Sequence, residues 1–160
     1  MKPYIYQINK KPETKKEVGL PKIKTKKATV LTAGIDGDYN RFRKNKKNGD
    51  PDMALMILSL DIINELNNEG WSVMPGDLGE NLTIDNLDYS ILSPGQKYTI
   101  GTVKIEISFI CDPCSNLKVL PYVGNEKISD FIKTLMNRRG WYARVLEPGR
   151  IAEKDHMITI

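Results

Sequence analysis

A chain of 160 residues, 40% hydrophobic and 28% charged, is long enough to bury a core without disulfide staples and has the composition of a soluble globular protein. No apolar run approaches the ~20 residues that a membrane-spanning helix requires, which excludes a helical membrane protein. The net charge of +4 is concentrated at Lys10, Lys11, Lys15, Lys16, Lys22, Lys24, Lys26 and Lys27, and again at Arg41, Arg43, Lys44, Lys46 and Lys47. Such clusters attract phosphates. No aromatic residues interleave them as a single-strand stacking platform needs, which argues against nucleic acid as the partner.

From the N-terminus, "MKPYIYQINKKPETKKEV" has neither an apolar core nor a small-residue cleavage site, so a secretory signal is not expected. With two cysteines and no signal, the chain is expected in a reducing cytoplasm. "YIYQI" alternates, and Tyr4 to Ile8 reads as a first strand; "KATVLTAGI" reads as a second. The stretch "GIDGDYNRFRKNKKNGDPD" is too rich in Gly, Asp and Asn for a regular element and reads as a long loop. In "LSLDIINELNNEG", Ser59 caps a predicted helix, Ile62, Ile63 and Leu66 form its apolar face, and Gly70 ends it.

"PGDLGENLTI" is a turn running into a short strand at Asn81 to Ile84. "SPGQKYTIGTVKIEISFI" reads as a hairpin with its turn at Pro94-Gly95, followed by alternation through Val103, Ile105, Ile107 and Phe109. Ile128, Phe131, Ile132 and Leu135 recur at helical spacing, and "GWYARVL" and "HMITI" close the chain as strands. Strands that do not alternate regularly with helices disfavour a doubly wound sheet. The expected fold is one domain over residues 1–160, mainly β with appended helices, as a closed or nearly closed barrel.

Both cysteines fall in "ICDPCSNL". Such a pair serves a metal, a redox disulfide, or one working thiolate with a neighbour. A structural zinc site needs four ligands, and with His156 the only histidine a Cys/His set is one short. A thioredoxin-like pair would open a helix after a strand, whereas "CDPCSNLKVLP" meets proline on both sides. Cys111 extends an apolar strand and suits a buried position; Cys114 sits in a polar turn where a thiol can be reached and where nearby cations would favour its thiolate.

These motifs, in this order, resemble the MOSC family, the domain also found at the C-terminus of molybdenum cofactor sulfurases, in its stand-alone bacterial type. The resemblance is carried by "GLPK" (19–22), "GIDGD" (34–38), "NGDPDMAL" (48–55) and "PGDLGENLTIDNLD" (75–88). "LSPGQKYTIG" (92–101), "DPCSNL" (112–117), "GWYARVLEPG" (140–149) and Asp155 complete it. It implies a barrel-like β fold and a site around Cys114, which in relatives carries sulfur as a persulfide or ligates molybdenum held in a pterin dithiolene.

Some members reduce N-hydroxylated bases, drawing electrons from a separate reductase; sulfur carriers are loaded by a pyridoxal-phosphate cysteine desulfurase. A third reading is a basic interaction module whose site has decayed. The phosphate of the pterin (molybdopterin) calls for cations and backbone N–H groups. Lys22, Arg41, Arg43 and Arg144 are candidates for the charge, and the bends at Gly34-Gly37 and Gly76-Gly79 for an anion nest, with ordinary turn geometry as their alternative role. Asp38 and Asn81 are candidate catalytic residues and Glu80 a candidate cofactor contact; each could equally serve only its own turn. Trp141 and Tyr142 are expected to pack the barrel, and His156 to be structural. The sequence departs from the family at Asn40, where many members carry histidine, and at Gly49-Asp50-Pro51-Asp52.

Overall fold

The computed structural model describes residues 1–40, 43–44 and 48–160. Arg41, one of the candidate cations, and Lys46 and Lys47 of the second basic cluster lie outside the described residues. Along the chain run β1 (Tyr4–Lys10), β2 (Ile23–Thr25), β3 (Lys27–Leu31), β4 (Gly34–Ile35), β5 (Leu55–Ser59) and α1 (Leu60–Asn68). Then come β6 (Leu82–Asp85), β7 (Lys97–Ile100), β8 (Val103–Ile110), α2 (Gly124–Thr134), β9 (Trp141–Glu147), β10 (Gly149–Ala152) and β11 (Met157–Thr159).

Eight strands form one sheet in the order β11-β7-β8-β9-β5-β6-β1-β2, and β10-β3-β4 form a second. The fold is therefore mainly β with appended helices, as the sequence implies. Barrel closure is partial: the start of β1 meets the residues before β11 through a Tyr4–His156 bridge, with Ile5 N donating to Asp155 O and Lys154 N donating to Ile5 O, both at 2.9 Å. A single bridge, rather than a full ladder, forms this seam. The exposed His156 ring stands edge-on to that of Tyr4, with 6.4 Å between centroids.

Strand β5 is invisible to an alternation test because all five of its residues are buried. It pairs in parallel with β6 and antiparallel with β9, and α1 provides the crossover. Ser59 explains how a strand becomes a helix with no intervening turn. Its hydroxyl accepts from Asp61 N at 3.2 Å, capping α1, and donates to Leu87 O at 2.7 Å. Ile62, Ile63 and Leu66 are buried, and Gly70, at φ +105°, ends the helix as its sequence suggests.

One hairpin expectation needs correcting. Pro94-Gly95 is a turn, but β7 and β8 are joined at Gly101-Thr102, since Ile100 pairs with Val103. The alternation of β8 also stops early: Val103, Ile105 and Ile107 are buried, whereas a register shift between Ile107 and Ile110 leaves Phe109 at the surface. Bulges of this kind re-aim side chains near functional sites.

The core has two parts. Ile5, Ile8, Val30, Leu55, Ile57 and Ile105 fill the barrel side. Leu58, Leu66, Leu78, Phe131 and Leu135 join the two helices to the sheet, with the Trp71 and Phe131 rings 4.6 Å apart. Substituting Ser59→Ala removes the helix cap and strands the Leu87 carbonyl; urea unfolding is expected to show a loss of about 1–2 kcal/mol.

Candidate functional site

Cys114 ends an extended stretch and precedes a one-turn helix at Ser115–Val119. It is partly exposed and lines a cavity of about 230 Å³ whose wall also includes Lys22, Gly79, Phe109, Arg139 and Tyr142. The structure thus brings the thiol, the "GLPK" lysine and the "PGDLGEN" bend to one place. Phe109 reaches the cavity through the bulge in β8, and its ring lies 5.1 Å from that of Tyr142. Tyr142 packs into the barrel wall as expected but also faces this cavity, while Trp141 packs against the core.

The residue that sequence reasoning missed is Arg139. It is 7% exposed, and its guanidinium donates to Leu78 O from Nε at 3.2 Å and from Nη2 at 3.0 Å. Nη1 donates to Asp112 O at 3.0 Å and to Cys114 Sγ at 3.3 Å. Among the described residues no carboxylate pairs with it. Burial works against its charge, but the sulfurs of Cys111 and Cys114 and the Tyr142 oxygen outweigh it and hold its pKa above the ordinary arginine value. A cation against sulfur is the setting in which cysteine acts as nucleophile or soft ligand.

Cys111 is different. It is 2% exposed, its Sγ lies 3.2 Å from the Tyr142 hydroxyl, and burial pushes its thiol pKa up. Both cysteines are free.

Three of the other candidates form a buried polar network. Lys22 Nζ donates to Asp38 Oδ1 at 2.7 Å and to Tyr39 O at 3.0 Å, with the two side chains 4% and 9% exposed. Burial lowers the lysine pKa, and Asp38 opposes that shift. Asn81 Nδ2 donates to Asp38 Oδ2 at 2.9 Å, and its Oδ1 accepts from Met56 N at 3.0 Å. Both polar atoms of the amide therefore brace the wall.

Gly76 sits at φ +94°, and a Cβ there would lie 2.6 Å from Lys22 O, so only glycine lets the bend pack against the lysine's backbone. Glu80 accepts from Gly76 N at 2.6 Å and from Thr83 Oγ1 at 3.0 Å through Oε1, while its buried Oε2 has no partner among the described residues. Complete burial pushes its pKa up to about 7.

A second hollow, of about 520 Å³, shares Tyr39 and Asn40 with the first and carries Arg43 and Lys44. Arg43 donates to Ala33 O from Nη1, and its buried Nε finds no partner among the described residues. Arg144 stands apart. It bonds Asp52 at 2.8 Å and Glu106 at 2.9 Å and does not line the thiol cavity.

The sequence model of the MOSC domain matches residues 44–158. The chain belongs to the MOSC family. Its fold is similar to the YuaD protein from Bacillus subtilis, with a TM-score of 0.77, 18% identity and coverage of 98% of this chain and 94% of that one. YiiM from Geobacillus stearothermophilus follows at 0.74 and 21%, covering 99% of this chain and 75% of that one. YiiM from Escherichia coli gives 0.70 and 20%, covering 98% and 69%. No curated protein sequence matches the chain. Among the described residues, no helix is long and apolar enough to cross a membrane.

The raised pKa of Glu80 fixes a sign. A carboxyl that holds its proton more tightly when folded adds stability that is complete below about 4.5 and is lost as pH rises through about 7. Chemical denaturation at pH 5 and pH 8 is expected to show that Glu80→Gln removes this part of the decline, because glutamine keeps the acceptor for Gly76 N.

Proposed function

We propose that this MOSC protein binds the molybdenum cofactor with Cys114 as the metal's thiolate ligand, and reduces N-hydroxylated or related substrates with electrons from a separate reductase. The observation that carries this reading is the Arg139–Cys114 contact at the wall of the cavity. Burying a guanidinium costs several kcal/mol unless its donors are satisfied, and the Cys114 sulfur joins the Leu78 and Asp112 carbonyls as its third acceptor, at the cavity wall.

The donor set fits the cofactor. Among the described residues no three His, Cys, Asp or Glu side chains gather as a metal site, so a metal held here by Cys114 must bring its remaining ligands with it. A dithiolene-bound metal does so, and thiolate is a matched soft ligand for it. When bound, the cofactor would supply the two-electron redox centre. Arg43 and Lys44, in the adjoining hollow, are suited to its phosphate.

The protein's own residues do the rest. Arg139 holds the Cys114 sulfur in place. The Lys22–Asp38–Asn81 network keeps the facing wall rigid and leaves Lys22 bordering the cavity, while Phe109 and Tyr142 restrict water. The partial exposure of Cys114 also suits a second reading, a persulfide carrier loaded by a pyridoxal-phosphate desulfurase.

Protein purified from a host that makes the cofactor is expected to carry molybdenum and pterin at about one per chain. Both are expected to vanish in Cys114→Ser, together with reduction of an N-hydroxylated base by a chemically reduced dye. Metal-free protein with a labile sulfur on Cys114 would favour the carrier, and protein with neither would refute both.

A further inference from the structure

Cys111 and Cys114 flank one cation from different depths. Cys111 follows the last residue of β8, is 2% exposed and does not line the cavity. Cys114 is partly exposed and does line it. The carbonyl of Asp112 marks how near the two lie: it accepts from Arg139 Nη1 at 3.0 Å and is 3.6 Å from Cys111 Sγ, while the same Nη1 is 3.3 Å from Cys114 Sγ. Only Asp112 and Pro113 separate the cysteines in the chain, and closing a disulfide between them requires the loop to bring their Cα atoms within about 7 Å.

We infer that Cys111 is a resolving thiol for Cys114, making this pair a peroxide-sensitive dithiol. The arrangement divides the labour such chemistry needs, with one accessible sulfur beside a cation and one shielded sulfur in reserve. A hydroperoxide is the oxidant. The Cys114 sulfur attacks its outer oxygen, the O–O bond breaks, and Cys114 becomes a sulfenic acid while the departing oxygen takes a proton. Cys111 then bonds to the Cys114 sulfur, its proton leaving with the sulfenic hydroxide as water. The two thiols lose two electrons as the disulfide forms, and the peroxide gains them. An external dithiol reverses the change.

While the disulfide stands, Cys114 is unavailable as ligand or carrier; Cys111 keeps that loss reversible by forestalling sulfinic acid. The inference does not rest on the molybdenum reading, since metal-free chain suffices to examine it.

Both cysteines fall in one tryptic peptide, Ile105 to Lys118, which makes the test direct. The full-length chain is treated with hydrogen peroxide and the peptide weighed with and without dithiothreitol. The expected result is loss of two hydrogen masses, fully restored by the reductant. Cys111→Ala, checked for folding by circular dichroism, is expected to gain two oxygen masses that the reductant does not remove. If the wild-type peptide gains oxygen as fast as the variant, or the disulfide joins two chains, the inference fails. Because the first measurement uses unaltered protein, a variant that does not fold leaves the test intact.

Discussion

The site depends on the need of one buried guanidinium for partners. Arg139 lies just before β9, and its donors reach the Leu78 carbonyl in the crossover loop and the Asp112 carbonyl and Cys114 sulfur in the thiol loop. Three segments distant in sequence are thereby held in one arrangement. A buried charge without partners would cost several kcal/mol, so neither loop can swing away without leaving that charge exposed to hydrocarbon. The same contacts place a sulfur beside a cation at the wall of a cavity, and stability and chemistry share a single interaction.

The opposite wall is built on different logic. Lys22, Asp38 and Asn81 satisfy one another inside the protein, and Gly76 permits the bend that carries Asn81 to approach the backbone at Lys22. The network is closed: the amide of Asn81 and the ammonium of Lys22 already have acceptors. These residues therefore shape the cavity and set its field. The bulge in β8 adds the aromatic rim, because an unbroken alternation would have left Phe109 without its place beside Tyr142.

Much of this was legible in the sequence, for reasons that differ by residue. Helix α1 announced itself through Ser59, its apolar face and Gly70, all of them local signals. Cys114 was legible because a polar turn after an apolar strand is a local feature too, and because its motif is shared with a family. Strand β5 carried no periodicity, since both its faces are buried. Arg139 was hidden by its neighbour. In "NRRG" the two arginines look alike, yet Arg138 pairs with Glu65 and Glu69 at the surface while Arg139 turns inward. Only the tertiary fold distinguishes them. Arg144 is the opposite case: offered by the sequence as a cation for the cofactor's phosphate, it is already paired with two carboxylates, Asp52 and Glu106.

The most direct measurement is the rate at which iodoacetamide alkylates Cys114 at neutral pH in the wild-type chain, in Arg139→Gln and in Arg139→Lys, each confirmed folded. A guanidinium that activates the sulfur predicts a fall of roughly tenfold or more in the glutamine variant, with part of the rate regained by lysine. An unchanged rate in folded Arg139→Gln would contradict the account.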